Sequence, residues 1–150
     1  MITWDSKIAE LLNCSVPAVR DVAMAENARI LVRHEGEAPR ERSACGWRDR
    51  LISREDVLIE PAAWAHAVDI DGAKPHFHKV ATELYYVLEG QGSVTLDGVP
   101  HKVHQGSLVH IPPGVVHSAI GRMRVLVVGI PDISDADYFE ATEDTSSVAL

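Results

Sequence analysis

From residue 64 onward the chain runs in short apolar stretches, each stopped by turn residues. Trp64 to Ile70 alternates between apolar and polar positions and ends at Asp71-Gly72, which predicts a strand followed by a turn. Glu83 to Glu89 is rich in aromatic and branched side chains and stops at Gly90, so it too reads as a strand. Alternation places Glu83, Tyr85 and Val87 on one face and Leu84, Tyr86 and Leu88 on the other. Both faces are largely apolar, which suits a strand covered on both sides. Ser93 to Leu96 meets Asp97-Gly98, a strong hairpin signal, with a return strand over Pro100 to Val103. Ser107 to Ile111 runs into Pro112-Pro113-Gly114, which must end the strand and turn the chain. Arg124 to Ile130 is a last apolar strand, stopped by Pro131. Short strands at close intervals, with no long helix between them, predict an all-β barrel or sandwich.

The first third follows a different pattern. Asp5 or Ser6 can cap a helix that carries Ile8, Leu11 and Leu12 on one face. Ser15, followed by Pro17, can cap a second helix reaching Met24. Ile8 to Arg20 therefore has the outline of a helix-turn-helix. However, Lys7, Arg20, Arg29 and Arg33 are offset by Asp5, Glu10, Asp21 and Glu26, whereas a DNA-reading face needs a basic excess. Two helices packed on a barrel or on a partner subunit are expected instead. Arg40 to Glu60 is charged, with Trp47, Leu51, Ile52, Val57, Leu58 and Ile59 spaced through it, and predicts edge strands or an exchanged arm. The expected organisation is a helical extension over 1–45, a barrel over 46–131 and an acidic, partly disordered tail over 132–150. Within that tail, Ile133, Tyr138 and Phe139 are candidate anchors, and Thr142 to Leu150 is small, polar and expected to fray.

Composition narrows the function. A chain of 150 residues with 46% hydrophobic content can build one domain with a real core. A net charge of −8 argues against general nucleic-acid binding and against adhesion to anionic membranes. Cys14 and Cys45 form no metal-like pattern. The start lacks a basic region followed by an apolar run, so reduced thiols in a cytoplasmic protein are expected.

The chemistry lies in two segments. His76 and His78 are two apart and share one face of a strand. Glu83 opens the next strand, and His117 follows the Pro-Pro-Gly turn. Three imidazoles and one carboxylate, if strands and turns bring them together, bind a divalent metal and leave coordination positions open. A lone strand histidine is more often a hydrogen-bonded structural residue, and His34, His66, His101 and His104 are read that way. His110 could face the core or a pocket. Tyr85 could be a polar handle inside a barrel or simply core.

These segments resemble the cupin superfamily of small jelly-roll β-barrels. The first motif matches at Gly72, His76, His78, Glu83 and Gly90, although Gly72 stands closer to the histidine pair than the family pattern has it. The second matches at Gly106, Pro112, Gly114 and His117, with Gly121 where the family has asparagine. The resemblance implies a jelly-roll barrel, a homodimer, and one metal held by His76, His78, Glu83 and His117. Mixed imidazole and carboxylate ligands without thiolates suit Fe, Mn, Ni or Zn. It also implies a small-molecule ligand or substrate. Dioxygenase, decarboxylase, isomerase and lyase reactions all occur on the fold, and the fold does not choose among them. Tyr85, Glu89 and His110 are the candidates for a catalytic acid or base. A non-catalytic sensor barrel and a cupin-type transcription regulator are the alternative classes.

Overall fold

A computed structural model describes residues 30–57, 59, 61–132 and 135–141. The chain divides into two compact units, Met1–Val32 and Arg33–Leu150. The two expected N-terminal helices, Cys14, Ile133 and Thr142 to Leu150 lie outside the described residues. Everything below concerns the second unit.

Its described residues form nine strands: β1 (Arg40–Arg42), β2 (Gly46–Ile52), β3 (Trp64–Ile70), β4 (His76–Phe77), β5 (Thr82–Leu96), β6 (Val99–His104), β7 (Leu108–Ile111), β8 (His117–Ile130) and β9 (Phe139–Glu140). All strand pairs are antiparallel. The described residues otherwise hold two short 3-10 turns, Glu35–Glu37 and Asp135–Asp137. None of their helices is long and apolar enough to cross a membrane.

β8 is the spine of the sheet. Along its length it pairs with β5, and its second half also pairs with β3. β5 in turn carries β7 on its first half and β6 on its second. One transverse row of residues therefore runs Arg50, His66, Val127, Tyr85 and Val109 across β2, β3, β8, β5 and β7. All five point to the inner face, because alternation is preserved through each register. The core gathers there: Val68, Tyr85, Val87, Val125 and Val127 are buried together, with Val94, Ile111 and Ala119 further along.

Two of the expected strands proved longer than the sequence suggested. Gly90 does not stop β5, which continues through a register shift between Val87 and Glu89 to Leu96. Gly90 has φ +80°, and a Cβ there would stand 2.1 Å from the Arg122 carbonyl oxygen. The glycine follows the bulge and lets two paired strands approach more closely there than a side chain would allow. Likewise β8 begins at His117 rather than Arg124. The Asp97-Gly98 hairpin forms as expected, with φ of +46° and +81° in a turn that joins β5 to β6. The outer face of β5 is less covered than its apolar pattern predicts: Tyr86 and the facing Leu108 are both exposed among the described residues.

Candidate metal centre

His76, His78, Glu83 and His117 come together at one end of the inner face. All four are buried, and one ligand atom from each lies within 4.8 Å of the others. Each strand has a reason to deliver its residue. β4 pairs with β8 so that His76 stands directly opposite His117. Glu83 opens β5 on the row that also holds Gly129 and Ile111. The Pro112-Pro113-Gly114 turn is tied to the first segment by a hydrogen bond from the Gly114 N–H to the His78 carbonyl, 2.7 Å.

The imidazoles are fixed in one tautomer. His76 Nδ1 donates to the Lys74 carbonyl (2.8 Å), His78 Nδ1 to the Asp137 carbonyl (2.7 Å) and His117 Nδ1 to the Val115 carbonyl (3.0 Å). A carbonyl can only accept, so Nδ1 carries the proton and Nε2 presents a lone pair. His78 Nε2, His117 Nε2 and Glu83 Oε2 are buried without a hydrogen-bond partner among the described residues. Yet His117 Nε2 lies 2.9 Å from Glu83 Oε2, and His78 Nε2 lies 3.4 Å from Glu83 Oε1. These atoms crowd one another without hydrogen-bond geometry, as donor atoms aimed at a shared centre do. Orphaned Nε2 lone pairs, locked by carbonyls behind them and facing a carboxylate, fit a divalent metal.

Electrostatics agree. Burial opposes ionisation of Glu83, but with no metal bound an Nε2 proton on His117 or His78 outweighs it and holds the carboxyl at about 2, and a cation in the same place favours the carboxylate likewise. Burial, helped by the neighbouring His117, pushes His76 down to about 4, so it stays a neutral ligand. At His78 burial works the other way from Glu83, and the carboxylate prevails, raising its pKa. Proton and metal therefore compete at His78.

The tail closes this end of the sheet. β9 pairs with β4, Tyr138 stacks on His76 at 4.7 Å between ring centroids, and Phe139 stacks on Phe77 at 5.3 Å. The Asp137 carboxylate accepts hydrogen bonds from the backbone N–H groups of Lys79, Val80 and Ala81. One residue thus holds both the loop after β4 and the ring of His78.

The centre opens on a cavity of about 410 Å³. Tyr85 lines it, fully buried, with its hydroxyl in reach of Glu83 and Cys45. Burial, and then the Glu83 charge, push its pKa well above the usual value, so it keeps its proton. Burial likewise lifts the Cys45 thiol to about 11. His110 and Glu89 are not brought to the cavity: His110 is exposed on the outer face of β7, and Glu89 is exposed at the bulge of β5. His66, read from sequence as a structural histidine, does line the cavity, as do Arg48 and Arg50. The alternation of β2 and β3 carried a signal for these three, since each pair i, i+2 shares the inner face. Nothing in the sequence marked Asp137.

Comparison with known proteins agrees with this architecture. The chain matches the cupin-domain family over residues 67–129. It is 36% identical over 103 residues to an uncharacterised protein of Methanocaldococcus jannaschii, covering 60% of this chain and 81% of that one. A shorter match, 43% identical over 47 residues, is to the dimethylsulfoniopropionate lyase DddW of Ruegeria pomeroyi, covering 31% of this chain and 30% of the lyase. Among solved structures, the Streptomyces nucleoside dehydratase Pac13 superposes with a TM-score of 0.66 at 18% identity, over 75% of this chain and 91% of that one. The chain belongs to the cupin family.

Proposed function

We propose that this cupin is a mononuclear metal-dependent enzyme acting on a small oxygenated molecule that chelates the metal. The observation that carries the reading is the buried group of His76, His78, Glu83 and His117, with its imidazole Nδ1 atoms tied to carbonyls and the group opening on a cavity. A divalent ion bound there supplies Lewis acidity and free coordination positions for oxygen ligands. The chain's own residues do the rest. The three imidazoles and Glu83 would fix the position of the ion, and Tyr138 and Trp64 line the cavity beside them. Tyr85 presents a protonated hydroxyl beside Glu83, placed to donate a hydrogen bond or a proton to a group held at the centre. The relatives include a lyase and a dehydratase, which supports small-molecule chemistry and leaves the reaction open.

The test is metal analysis of untagged protein, with His76→Ala and His117→Ala as controls. About one equivalent of a divalent metal is expected, lost in both variants while the β-sheet circular dichroism is retained. Iron would direct assays to oxygen uptake, and manganese or nickel to decarboxylation, isomerisation or elimination. A protein that takes up no metal after reconstitution sinks the reading and leaves a binding barrel.

A further inference from the structure

The cavity has a second end, and its chemistry differs from that of the first. Arg48 and Arg50 are two apart on β2, so both point inward, opposite Val68 and His66 of β3. Both side chains are mostly buried, with 27% and 17% of their surface exposed. Their ion pairs lie toward the rim. Arg48 uses Nε and Nη2 on a single oxygen of Glu41, and Arg50 uses Nη1 on Glu55, whose side chain is 65% exposed. A guanidinium has five N–H donors in a planar fork, so each of these keeps donors for a further acceptor.

His66 lines the same cavity, opposite Arg50 of β2 on one side and Val127 of β8 on the other. It is 6% exposed and stacked on Trp64 at 4.6 Å. Its Nε2 is buried with no partner among the described residues. Burial, reinforced by Arg48, holds its pKa at about 4, so it is a neutral hydrogen-bonding group. A buried polar atom left unpaired is costly, and a ligand in the cavity is the partner that the geometry offers it.

The charge balance selects the ligand. The lining holds Arg48, Arg50 and Arg54 against Glu55, Glu83 and Asp132, with Arg54 already paired to Asp132. With Glu41 paired to Arg48 counted in, one negative charge is left over, so a divalent ion at Glu83 leaves the loaded cavity with one excess positive charge.

We propose that Arg48, Arg50 and His66 form an anion-recognition end, and that the molecule taken by this cavity is a small acid with chelating oxygens at one end and a carboxylate at the other. The inference rests on the metal-centre reading above and deepens it. The cavity volume admits such a molecule and leaves little room for a large one. Two forks facing one way suit the planar, two-oxygen face of a carboxylate.

The test uses pairs of 2-hydroxy acids that share a chelating head and differ only in the distal carboxylate. Malate is compared with 2-hydroxybutyrate, and 2-hydroxyglutarate with 2-hydroxypentanoate. Binding to manganese-reconstituted protein is followed by titration calorimetry, with metal content measured on every sample. In at least one pair the dicarboxylate is expected to bind about tenfold tighter or better. Arg48→Gln and Arg50→Gln should each lower the dicarboxylate affinity more than the monocarboxylate affinity and so shrink that ratio, at full metal content. Glu55→Gln removes a competitor for Arg50 and one negative charge from the cavity lining, and should widen it. Equal binding within both pairs at full metal content overturns the anion end alone, as does a preference that survives Arg48→Gln/Arg50→Gln. Failure to load metal overturns the centre instead, so the two failures are distinguishable.

Discussion

Asp137 shows how much a single side chain beyond the ligand set can decide. Its carbonyl accepts a hydrogen bond from the His78 Nδ1–H, and its carboxylate satisfies three consecutive backbone N–H groups of the loop that follows β4. Asp137→Ala removes the carboxylate, leaves those donors unpaired and frees the loop that positions His78. Supporting groups of this kind typically contribute 10–100-fold to metal affinity, and a loss of about that size is expected. Competition with a chelating dye would measure it, and an unchanged affinity would show that the carbonyl alone holds the ring. The four ligand candidates were legible in the sequence because their spacing is set by strand alternation and a proline-glycine turn. Asp137 was not, because its partners are more than fifty positions away and a backbone cap leaves no periodic trace. Arg48, Arg50 and His66 fall between these cases. Their i, i+2 spacing is visible, but which face of β2 and β3 looks inward is fixed only by pairing to β8.

At the scale of elements, turn chemistry was read well and glycine inside strands was read poorly. Asp97-Gly98 and Pro112-Pro113-Gly114 reverse the chain where expected. Gly90 is as strong a signal locally, yet β5 runs on through it because β8 pairs along both halves. A tertiary partner outweighs the local preference. Gly90→Ala tests this account. The alanine must adopt φ near +80° and place its Cβ against the Arg122 carbonyl, where backbone rather than a flexible side chain would have to move. Destabilisation of about 2–4 kcal/mol is expected, read as a fall in urea midpoint without change in slope. A midpoint equal to that of the unsubstituted protein would mean that the bulge is looser than its geometry. The short β9 is the converse case. Tyr138 and Phe139, two of the anchors expected within the acidic tail, tie it to the site through stacking on His76 and Phe77.

For the molecule as a whole, the interior histidines set the dependence of stability on pH when no metal is bound. His66 and His76 are each held down to about 4 by burial, against an unfolded value near 6.5. Between those values the unfolded chain binds more protons, so their contribution to stability is fully present above pH 6.5 and is lost as pH falls toward 4. Each is worth on the order of 3 kcal/mol across that window. His78 has the opposite sign. Its raised pKa adds stability that is complete below the unfolded value and fades as pH rises through the folded one. His78 therefore adds no slope between 6.5 and 4, and His66 and His76 alone predict that metal-free protein becomes less stable as pH falls across that window. The carboxylates of Asp49 and Asp69, held low despite burial by Arg124 and Arg40, extend the decline below pH 4. Urea unfolding at a series of pH values would give the slope, and His66→Gln should make it shallower between 4 and 6.5 without altering the part below 4. An identical slope in that variant would mean that His66 is not held neutral in the fold. Reconstitution with metal should steepen the acid side further, since protons must displace the ion from His76, His78 and His117 before the barrel end can open.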